Sequence, residues 1–416
     1  MLTRRELLRR CVIAIAGTLA AGLLPQAAAD ARAAPRGAPS APSAAVPVGQ
    51  GFGQPTPDPD GVLDLPSDFR YVILIRSGDR MTDGNIFPPD PDLLCVFDQR
   101  DGTRFLAVGH EIRADMEYDG RFTGSVTRLH LDPNDGVLES RLLADGMRNN
   151  CSGVATPWGT ILSNEENPRE PVEQFPEEGY IWEIDPRTGQ KWRRDQMGRF
   201  SHEGTAVDAA SGDVYCTEDF RGGPFYKFTP DRPGDLSSGT LYAYRVDTRA
   251  WVRVDDVYHA RADALAKGAT PFNRHEDLEW GRDGRLYISE TGNATGPSAN
   301  RDLFGRIRRF DPRTMETDVF VEGGLKTLIM PDNITVDRAG NFFICEDKSD
   351  PMTQLSGDNN VVFVTPEGKT SVFATMRNGW EPSGAVFSSD YRTLYLNVLE
   401  GEGMTLAITG FKTTSQ

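Results

Sequence analysis

The sequence predicts an all-β fold and, within that class, a six-bladed β-propeller. Three observations lead to this prediction: a hairpin motif that occurs six times, a second hairpin motif that alternates with it, and the absence of long helical patterns outside the N-terminal segment. Repeats of a fixed size are typical of propellers and related repeat folds. A β-sandwich with irregular strands is the alternative interpretation.

The first motif consists of an apolar strand, a short turn, a second apolar strand and, in most copies, an acidic residue. β-Branched and aromatic residues on both sides of a turn are typical of a β-hairpin. The six copies lie at 95–111, 153–166, 204–219, 277–291, 333–347 and 384–398.

The second motif is also a hairpin, and it follows the first motif along the chain. Its copies lie at 129–138, 182–192, 308–320 and 362–373, with a related pair at 226–235 and 244–254. Two hairpins give four strands, and units of about 50 residues with four strands are typical of propeller blades. A single short helical turn is expected near 260–267.

Residues 1–31 have the features of a signal peptide for twin-arginine (Tat) export. Arg4 and Arg5 lie in a positively charged start, an apolar stretch covers 11–24, and small residues follow. Because this stretch is short for a bilayer span, we expect a cleaved signal peptide. The twin arginines predict contact with the Tat export machinery and a periplasmic or extracellular location. An uncleaved membrane anchor is the alternative.

The rest of the chain divides into a linker and one domain. Residues 32–60 are rich in Pro, Ala and Gly and predict a flexible linker, because they can bury little apolar surface. The propeller is expected at 61–416, since large all-β folds of this length form single domains.

The composition limits the classes of function. The formal net charge is −16 at pH 7, which argues against a nucleic-acid-binding surface and favours hard cations as partners. Of five cysteines, one lies in the predicted signal peptide and the other four show no C-x-x-C spacing. The sequence therefore predicts no zinc ribbon, and up to two disulfide bonds remain open.

Acidic and polar residues recur at both ends of the first motif. The second strand ends at His110-Glu111, Glu165-Glu166, Glu218-Asp219, Glu290-Thr291, Glu346-Asp347 and Asn397. The first strand is preceded by Cys151, His202-Glu203, Glu276-Asp277, Asp332-Asn333 and Glu381. Since a hairpin returns to the edge where it started, we expect both rows to converge on one mouth of the central channel.

Such a convergence of carboxylates requires cations, because like charges in a confined space raise each other's pKa and destabilise the fold. Carboxylate oxygens suit Ca²⁺ and other hard ions, and the thiolate of Cys151 suits a transition metal. The sequence therefore predicts a metal site in the channel. Single members of the rows could instead be surface turn residues, His202 a core or supporting histidine, and Cys216 and Cys345 core residues.

Several motifs, in this order, resemble the signature of PhoX alkaline phosphatases over about residues 70 to 411. They are Asn149-Asn150-Cys151-Ser152-Gly153, the TPWGT segment at 156–160, Glu165-Glu166-Asn167, the GRFSHEG segment at 198–204, the GATP segment at 268–271 with Arg274 and Glu276-Asp277, Pro331-Asp332-Asn333, and Glu381-Pro382-Ser383-Gly384.

The resemblance implies a monomeric, Tat-exported phosphomonoesterase with a propeller fold and an oxo-bridged cluster of Fe³⁺ and Ca²⁺. Cys151 would bridge the irons, Glu203 and Glu276 would ligate iron, and Arg274 would bind the phosphate of a small phosphate monoester. The positions of the remaining calcium or iron ligands would be held by Glu165, Glu166, Glu218, Asp219, Asp332 and Glu381.

The chain departs from the family pattern in places. It is shorter than the better-known members, a second cysteine is missing before Glu165, and His275 stands where proline is typical. Two alternatives stay open. A calcium-dependent lactonase or esterase would use Asp332 and need neither Cys151 nor iron, and a non-catalytic secreted propeller would use calcium for rigidity.

Overall fold

The computed structural model describes residues 51–113, 120, 123–166, 168, 177–292, 304–348, 357–399 and 401–412. All of them belong to the compact unit Ala44–Gln416. The other unit, Met1–Ser43, lies outside the described residues, and with it the predicted signal peptide. No helix within the described ranges is both long and apolar enough to cross a membrane.

The described residues form six antiparallel sheets of four or five strands, which are the blades of a propeller. Two N-terminal strands, β1 (Leu63–Asp64) and β2 (Arg70–Arg76), join blades that the C-terminal part of the chain builds. Blade 1 contains β3 (Pro91–Asp98), β4 (Arg104–His110), β5 (Gly124–Leu131) and β6 (Val137–Met147). Blade 2 contains β7 (Asn150–Ala155), β8 (Ile161–Glu165), β9 (Ile181–Ile184) and β10 (Lys191–Arg193).

Blade 3 has five strands and a small accessory sheet beside it. The blade contains β11 (His202–Val207) and β12 (Val214–Glu218), and, after the accessory strand β13 (Arg221–Gly223), β14 (Tyr226–Arg232), β15 (Asp235–Arg245) and β16 (Ala250–Arg253). The helix α1 (Ala260–Ala266) follows, where the sequence predicts a helical turn, and β17 (Phe272–Asn273) then pairs with β13.

Blades 4 to 6 repeat the same plan. Blade 4 contains β18 (His275–Trp280), β19 (Leu286–Glu290), β20 (Arg306–Asp311) and β21 (Glu316–Glu322). Blade 5 contains β22 (Pro331–Val336), β23 (Phe342–Glu346), β24 (Asn359–Val364) and β25 (Thr370–Met376), with β1 at its edge. Blade 6 contains β26 (Pro382–Phe387), β27 (Thr393–Val398), β28 (Met404–Thr409) and β2.

The hairpins form where the sequence places turn residues between apolar strands. In blade 4, Gly284 has φ +76° and its N–H donates to the Gly281 oxygen at 3.0 Å, which closes the turn between β18 and β19. Only glycine adopts this left-handed conformation without strain. The observed hairpins and the six blades confirm the predicted fold and exclude the β-sandwich.

The two ends of the chain close the ring. β2 pairs with β28 from Arg70 opposite Thr409 to Arg76 opposite Met404, so blade 6 combines strands from both ends. Phe52 packs against Phe69 and Phe373, with ring centroids 5.3 and 5.5 Å away. The packed part of the chain therefore extends into the predicted linker 32–60, because an aromatic ring there finds an apolar cluster to bury against.

The first strand of each blade faces the centre. β3, β7, β11, β18, β22 and β26 each contact the next one around the ring. They line a central channel that contains a cavity of about 360 Å³. The hydrophobic cores lie between neighbouring blades, so the residues that face the channel are free to carry polar groups.

Candidate metal centre

Each innermost strand carries a β-bulge close to its first residue. In blade 3, His202 pairs with Glu218 and Thr205 with Cys216, so three steps along β11 face two steps along β12. The equivalent register shifts lie between Pro91 and Leu94, Asn150 and Gly153, His275 and Leu278, Pro331 and Ile334, and Ser383 and Val386. A bulge of this kind turns a side chain out of the strand's alternation. Five bulges begin with a candidate ligand, namely Asp92, Cys151, Glu203, Glu276 and Asp332.

Four of these strands are entered through a residue with left-handed backbone conformation. Asp90, Asn149, Arg274 and Met330 have φ values of +47°, +45°, +59° and +50° and directly precede the bulged segment. Non-glycine residues rarely adopt this conformation, and it is concentrated at functional sites.

What we call the carboxylate–thiol cluster brings together the five side chains of the bulges and two residues that directly follow second strands, Glu111 and Glu166. It consists of three groups whose potential ligand atoms lie within 4.8 Å of one another: Asp92 with Glu111 and Cys151, Cys151 with Glu166 and Glu203, and Glu203 with Glu276 and Asp332. Cys151 and Glu203 each belong to two groups and join the three into one. The cluster confirms that carboxylates of both rows converge, and its metal occupancy stays a prediction.

Burial and mutual repulsion dominate the electrostatics of the cluster. Burial and then the charges of Glu276 and Asp332 raise the pKa of Glu203 well above its usual range. Burial and the charge of Glu111 raise the pKa of Asp92 to about 6. Burial, followed by the Asp92 charge, raises the pKa of the Cys151 thiol, which donates to Asp92 Oδ2 at 2.9 Å.

This donor set fits metal ions. Six carboxylates and one thiol share a largely buried space, and such a set either takes up protons or requires cations that neutralise it. The carboxylates match hard cations such as Ca²⁺, and the thiol matches a transition metal. Asp92, Glu111, Cys151, Glu166, Glu203, Glu276 and Asp332 would hold the ions.

Two arginines border the cluster. Arg274 Nε and Nη2 donate to Asp219 Oδ1 and Oδ2 at 2.7 and 3.0 Å, and Nη2 lies 2.9 Å from Glu276 Oε1. Arg113 Nη2 lies 3.2 Å from Glu111 Oε1. The sequence predicts a role for Arg274 but gives none for Arg113.

The strand-final glutamates bond within their own blades and do not join the three groups. Glu165 accepts hydrogen bonds from the Arg148 N–H and from Trp182 Nε1, both at 2.9 Å, and burial raises its pKa to about 7. Glu218 accepts from Tyr226 Oη at 3.0 Å and Arg261 Nε at 2.7 Å. The structure thus directs these two predicted ligands at protein donors, whereas the next residue along the chain, Glu166, joins the cluster.

Blades 4 and 5 follow the same rule. Glu290 accepts from Arg308 Nε, and although burial raises its pKa, His275 and Arg308 lower it to about 2. Glu346 accepts from the Ile329 N–H and lies 2.8 Å from Lys348 Nζ. These buried glutamates are therefore compensated by the protein itself.

The other predicted residues lie at the edge of the cluster or in the core. Asp219 is held by Arg274, and Glu381 is buried but belongs to none of the three groups. His202 is a core histidine: its Nε2 lies 2.9 Å from the Gly198 oxygen, and burial lowers its pKa to about 3. Cys216 and Cys345 are fully buried, and the cysteines at 95, 151, 216 and 345 are all free thiols.

Sequence reasoning missed Asp92 altogether and counted Glu111 in the row without naming it as a ligand. A signal was present, because Pro91-Asp92 and Pro331-Asp332 occupy the same position at the start of an innermost strand. The first copy of the hairpin motif starts at 95, after this pair, and therefore does not include it.

Side chains of one blade hold the ligand segment of the next blade. Thr217 Oγ1 donates to the main-chain carbonyl oxygen of Glu276 and accepts from the Gly204 N–H at 2.7 Å. Asn164 Nδ2 donates to the main-chain carbonyl oxygen of Glu203 in the same way. Asn397 Nδ2 donates to the main-chain carbonyl oxygen of Asp92 at 2.5 Å. These contacts fix the blades against each other at the level of the cluster.

We expect Thr217→Val to weaken cation binding and to destabilise the protein. Valine has the same shape but leaves the Gly204 N–H and the main-chain oxygen of Glu276 without their hydroxyl partner. A buried polar group that loses its partner lowers the free energy of unfolding by about 1–3 kcal/mol. Thermal unfolding and calcium affinity measure the effect. Thr217→Ser keeps the hydroxyl and is expected to stay close to the wild type; equal behaviour of the valine and serine variants would contradict the account.

We expect the metal-free protein to lose stability as the pH rises from about 5 to 8. Asp92 and Glu165 have raised pKa values of about 6 and 7 in the fold, so they hold protons more tightly in the folded than in the unfolded chain. Their contribution is full below the unfolded pKa and is lost as the pH rises through the folded values. A tenfold difference in proton affinity between the folded and the unfolded chain corresponds to about 1.4 kcal/mol of stability.

Glu290 acts in the opposite sense, because its pKa of about 2 gives stability that is lost only in stronger acid. Thermal unfolding of chelator-treated protein at several pH values tests this expectation. Calcium-saturated protein is the control and should show a flatter profile. A metal-free protein that is as stable at pH 8 as at pH 5 would contradict the raised pKa values of Asp92 and Glu165.

Comparisons with known proteins give one family match and several structural matches. The family model described as alkaline phosphatase PhoX matches residues 136–401, a stretch that includes Cys151, Glu203, Glu276 and Asp332. The comparison with curated proteins gave no significant match.

Among solved structures, the fold is similar to that of Pseudomonas fluorescens PhoX in complex with vanadate. The TM-score is 0.66 at 18% identity, over 84% of this chain and 96% of that one. A putative gluconolactonase matches with a TM-score of 0.44 at 11% identity, over 84% and 94% of the two chains. A gluconolactonase of Xanthomonas campestris gives 0.41 at 16% identity, over 80% and 99%. At 18% identity the similarity to Pseudomonas fluorescens PhoX shows the fold alone.

Proposed function

The chain belongs to the PhoX family of alkaline phosphatases, and from that premise we propose that it hydrolyses phosphate monoesters at the carboxylate–thiol cluster. The observation that carries the proposal is the convergence of six carboxylates and one thiol in three linked groups, each with its potential ligand atoms within 4.8 Å of one another, bordered by Arg274. A phosphate ester is repelled by bare carboxylates, so the same site attracts it only when cations are bound.

We propose Ca²⁺ and Fe³⁺ as these cations. The carboxylates support calcium, and the buried thiol of Cys151, shared by two ligand groups, supports iron. When bound, such cations neutralise charge on the phosphoryl oxygens and act as Lewis acids. The chain's own contribution is to hold Glu203 and Cys151 rigidly through the bulges and the contacts between blades.

Arg274 is proposed to orient the phosphate. Its guanidinium forms a two-pronged pair with Asp219 and its side chain is 20% exposed, so it is both fixed in direction and open to solvent. A phosphate group matches the same planar pair of donors. Asp219 then acts as the residue that orients Arg274 before the substrate binds.

A serine nucleophile receives no support from the geometry. Ser152 Oγ lies beside a cluster ligand, but it donates to Asp277 Oδ1 at 3.3 Å and not to a histidine. The second oxygen of the Asp277 carboxyl accepts the Ile334 N–H, so the pair lacks the histidine base of a serine triad. The proposal therefore assigns no covalent step to Ser152.

We also propose that the protein is exported by the Tat route as a monomer, with a signal peptide at 1–31 and a propeller domain after the linker. The support is the twin arginine at Arg4 and Arg5, the apolar stretch behind it and the acidic composition.

The test is hydrolysis of an aryl phosphate monoester by the natively exported protein, before and after chelation and after calcium is added back. We expect turnover that chelation abolishes. A simple lactone is assayed in parallel, because lactone hydrolysis without phosphatase activity would favour a calcium-dependent lactonase. Calcium binding with no turnover of either substrate would favour a binding propeller.

A further inference from the structure

A second arginine, Arg113, borders the cluster beside Glu111. Arg113 Nε and Nη2 lie 3.3 and 3.2 Å from a single oxygen, Glu111 Oε1. Glu111 belongs to the first ligand group, with Asp92 and Cys151, whereas Arg274 contacts Glu276 in the third group. The two guanidinium groups therefore border different ligand groups of the cluster.

Glu166 links the surroundings of the two arginines. It is a member of the middle group, with Cys151 and Glu203. The charges that act on the pKa of this buried carboxyl include those of Glu111 and Arg113 and those of Asp219 and Glu276, the two partners of Arg274. An anion beside Glu166 is thus close to Arg113 and to the carboxylates that hold Arg274.

Arg113 is available to a ligand in a way that most buried arginines are not. Its side chain is 27% exposed, and both of its side-chain hydrogen bonds within the described residues end on the same Glu111 oxygen. A cation held by the Glu111 carboxylate would compete for that oxygen and would leave guanidinium donors for a bound anion. Arg274 is held in a comparable way by Asp219 and by the cluster member Glu276.

We infer that Arg113 is a second phosphate-binding residue, which contacts the phosphoryl group of the substrate and of inorganic phosphate together with Arg274. This inference rests on the proposed function, and it goes beyond the family match, which begins at residue 136. Two planar guanidinium groups on one dianion provide charge and direction that one arginine cannot.

The test compares Arg113→Ala and Arg113→Lys with the wild type, all as metal-loaded, natively exported protein. Inorganic phosphate is the probe, and its affinity is measured by calorimetry and by inhibition of aryl phosphate hydrolysis. We expect the alanine variant to bind phosphate about 10- to 100-fold more weakly, as the loss of a charge-assisted hydrogen bond predicts. KM should rise more than kcat falls, lysine should restore part of the affinity, and metal content should stay unchanged.

Arg76→Ala is the matched control, because Arg76 pairs with Glu402 at an exposed surface position. It should leave phosphate affinity and turnover at wild-type values. An Arg113→Ala protein with wild-type phosphate affinity would overturn the inference, as would one that loses its metal ions, since Arg113 would then only support Glu111. If the wild type is active and Arg113→Ala binds phosphate equally well, only this inference fails. If the wild type neither binds phosphate nor hydrolyses the aryl phosphate, the proposed function fails as well.

Discussion

Replacement of Glu203 by glutamine is expected to remove bound cations and to lower kcat/KM for an aryl phosphate by at least about 100-fold, since even changes in the groups that support metal ligands cost 10- to 100-fold. Glu203 is shared by two of the three ligand groups and is almost fully buried. Glutamine keeps the size of the side chain but not its charge. Elemental analysis and steady-state kinetics on the same sample measure both effects.

Glu165→Gln is the matched control for this variant. Glu165 is the same residue type in the row of predicted ligands, but its oxygens accept hydrogen bonds from the Arg148 N–H and Trp182 Nε1. We expect the control to change thermal stability and to keep its metal ions. If Glu165→Gln lost cations as Glu203→Gln does, the separation of strand-final glutamates from the cluster would be wrong.

The second large effect is expected for Cys151→Ala. Cys151 joins two ligand groups and is the only thiol among the described residues that belongs to one. Because a thiolate is the ligand in the cluster best suited to a transition metal, the variant should lose iron and at least about 100-fold of its phosphatase activity. It should still bind calcium through the carboxylates. Elemental analysis and the visible absorption of the purified protein measure the loss.

Cys216→Ala is the control for the cysteine variant. Cys216 is fully buried in a hydrophobic cluster between blades, away from the three ligand groups. The substitution should reduce stability slightly and leave metal content and turnover intact. A Cys151→Ala protein that retains iron and activity would show that the thiol is a plain buried residue and would favour a calcium-only centre.

The blades could be predicted from the sequence because hairpins depend on local chemistry. Turn residues such as Gly284 and the apolar strands around them are adjacent in the chain. The closure of blade 6 could not be predicted in this way, since β2 and β28 come from opposite ends of the chain. The burial of Phe52 depends on the same long-range contacts.

The sequence predicts the position of the cluster and five of its seven members, but it misses Asp92 and does not name Glu111 as a ligand. The sequence places Glu165 and Glu166 side by side and does not reveal which of them turns toward the channel. On the first strands, the bulges decide which side chains face the centre, since one extra residue reverses the alternation. This reversal brings Glu203 and Asp332 to the centre. Bulges depend on the pairing partner, so they become visible only in the folded chain.

The central claim is that the carboxylate–thiol cluster is a metal centre on which the activity depends. The most direct test is elemental analysis of the natively exported wild-type protein beside Glu203→Gln, with phosphatase activity measured on the same samples. We expect the wild type to contain calcium and iron and to be active. We expect the variant to lose the bound metals and the activity. A folded wild-type protein that carries no tightly bound cation, and that gains neither stability nor turnover when calcium and iron are supplied, would contradict the central claim.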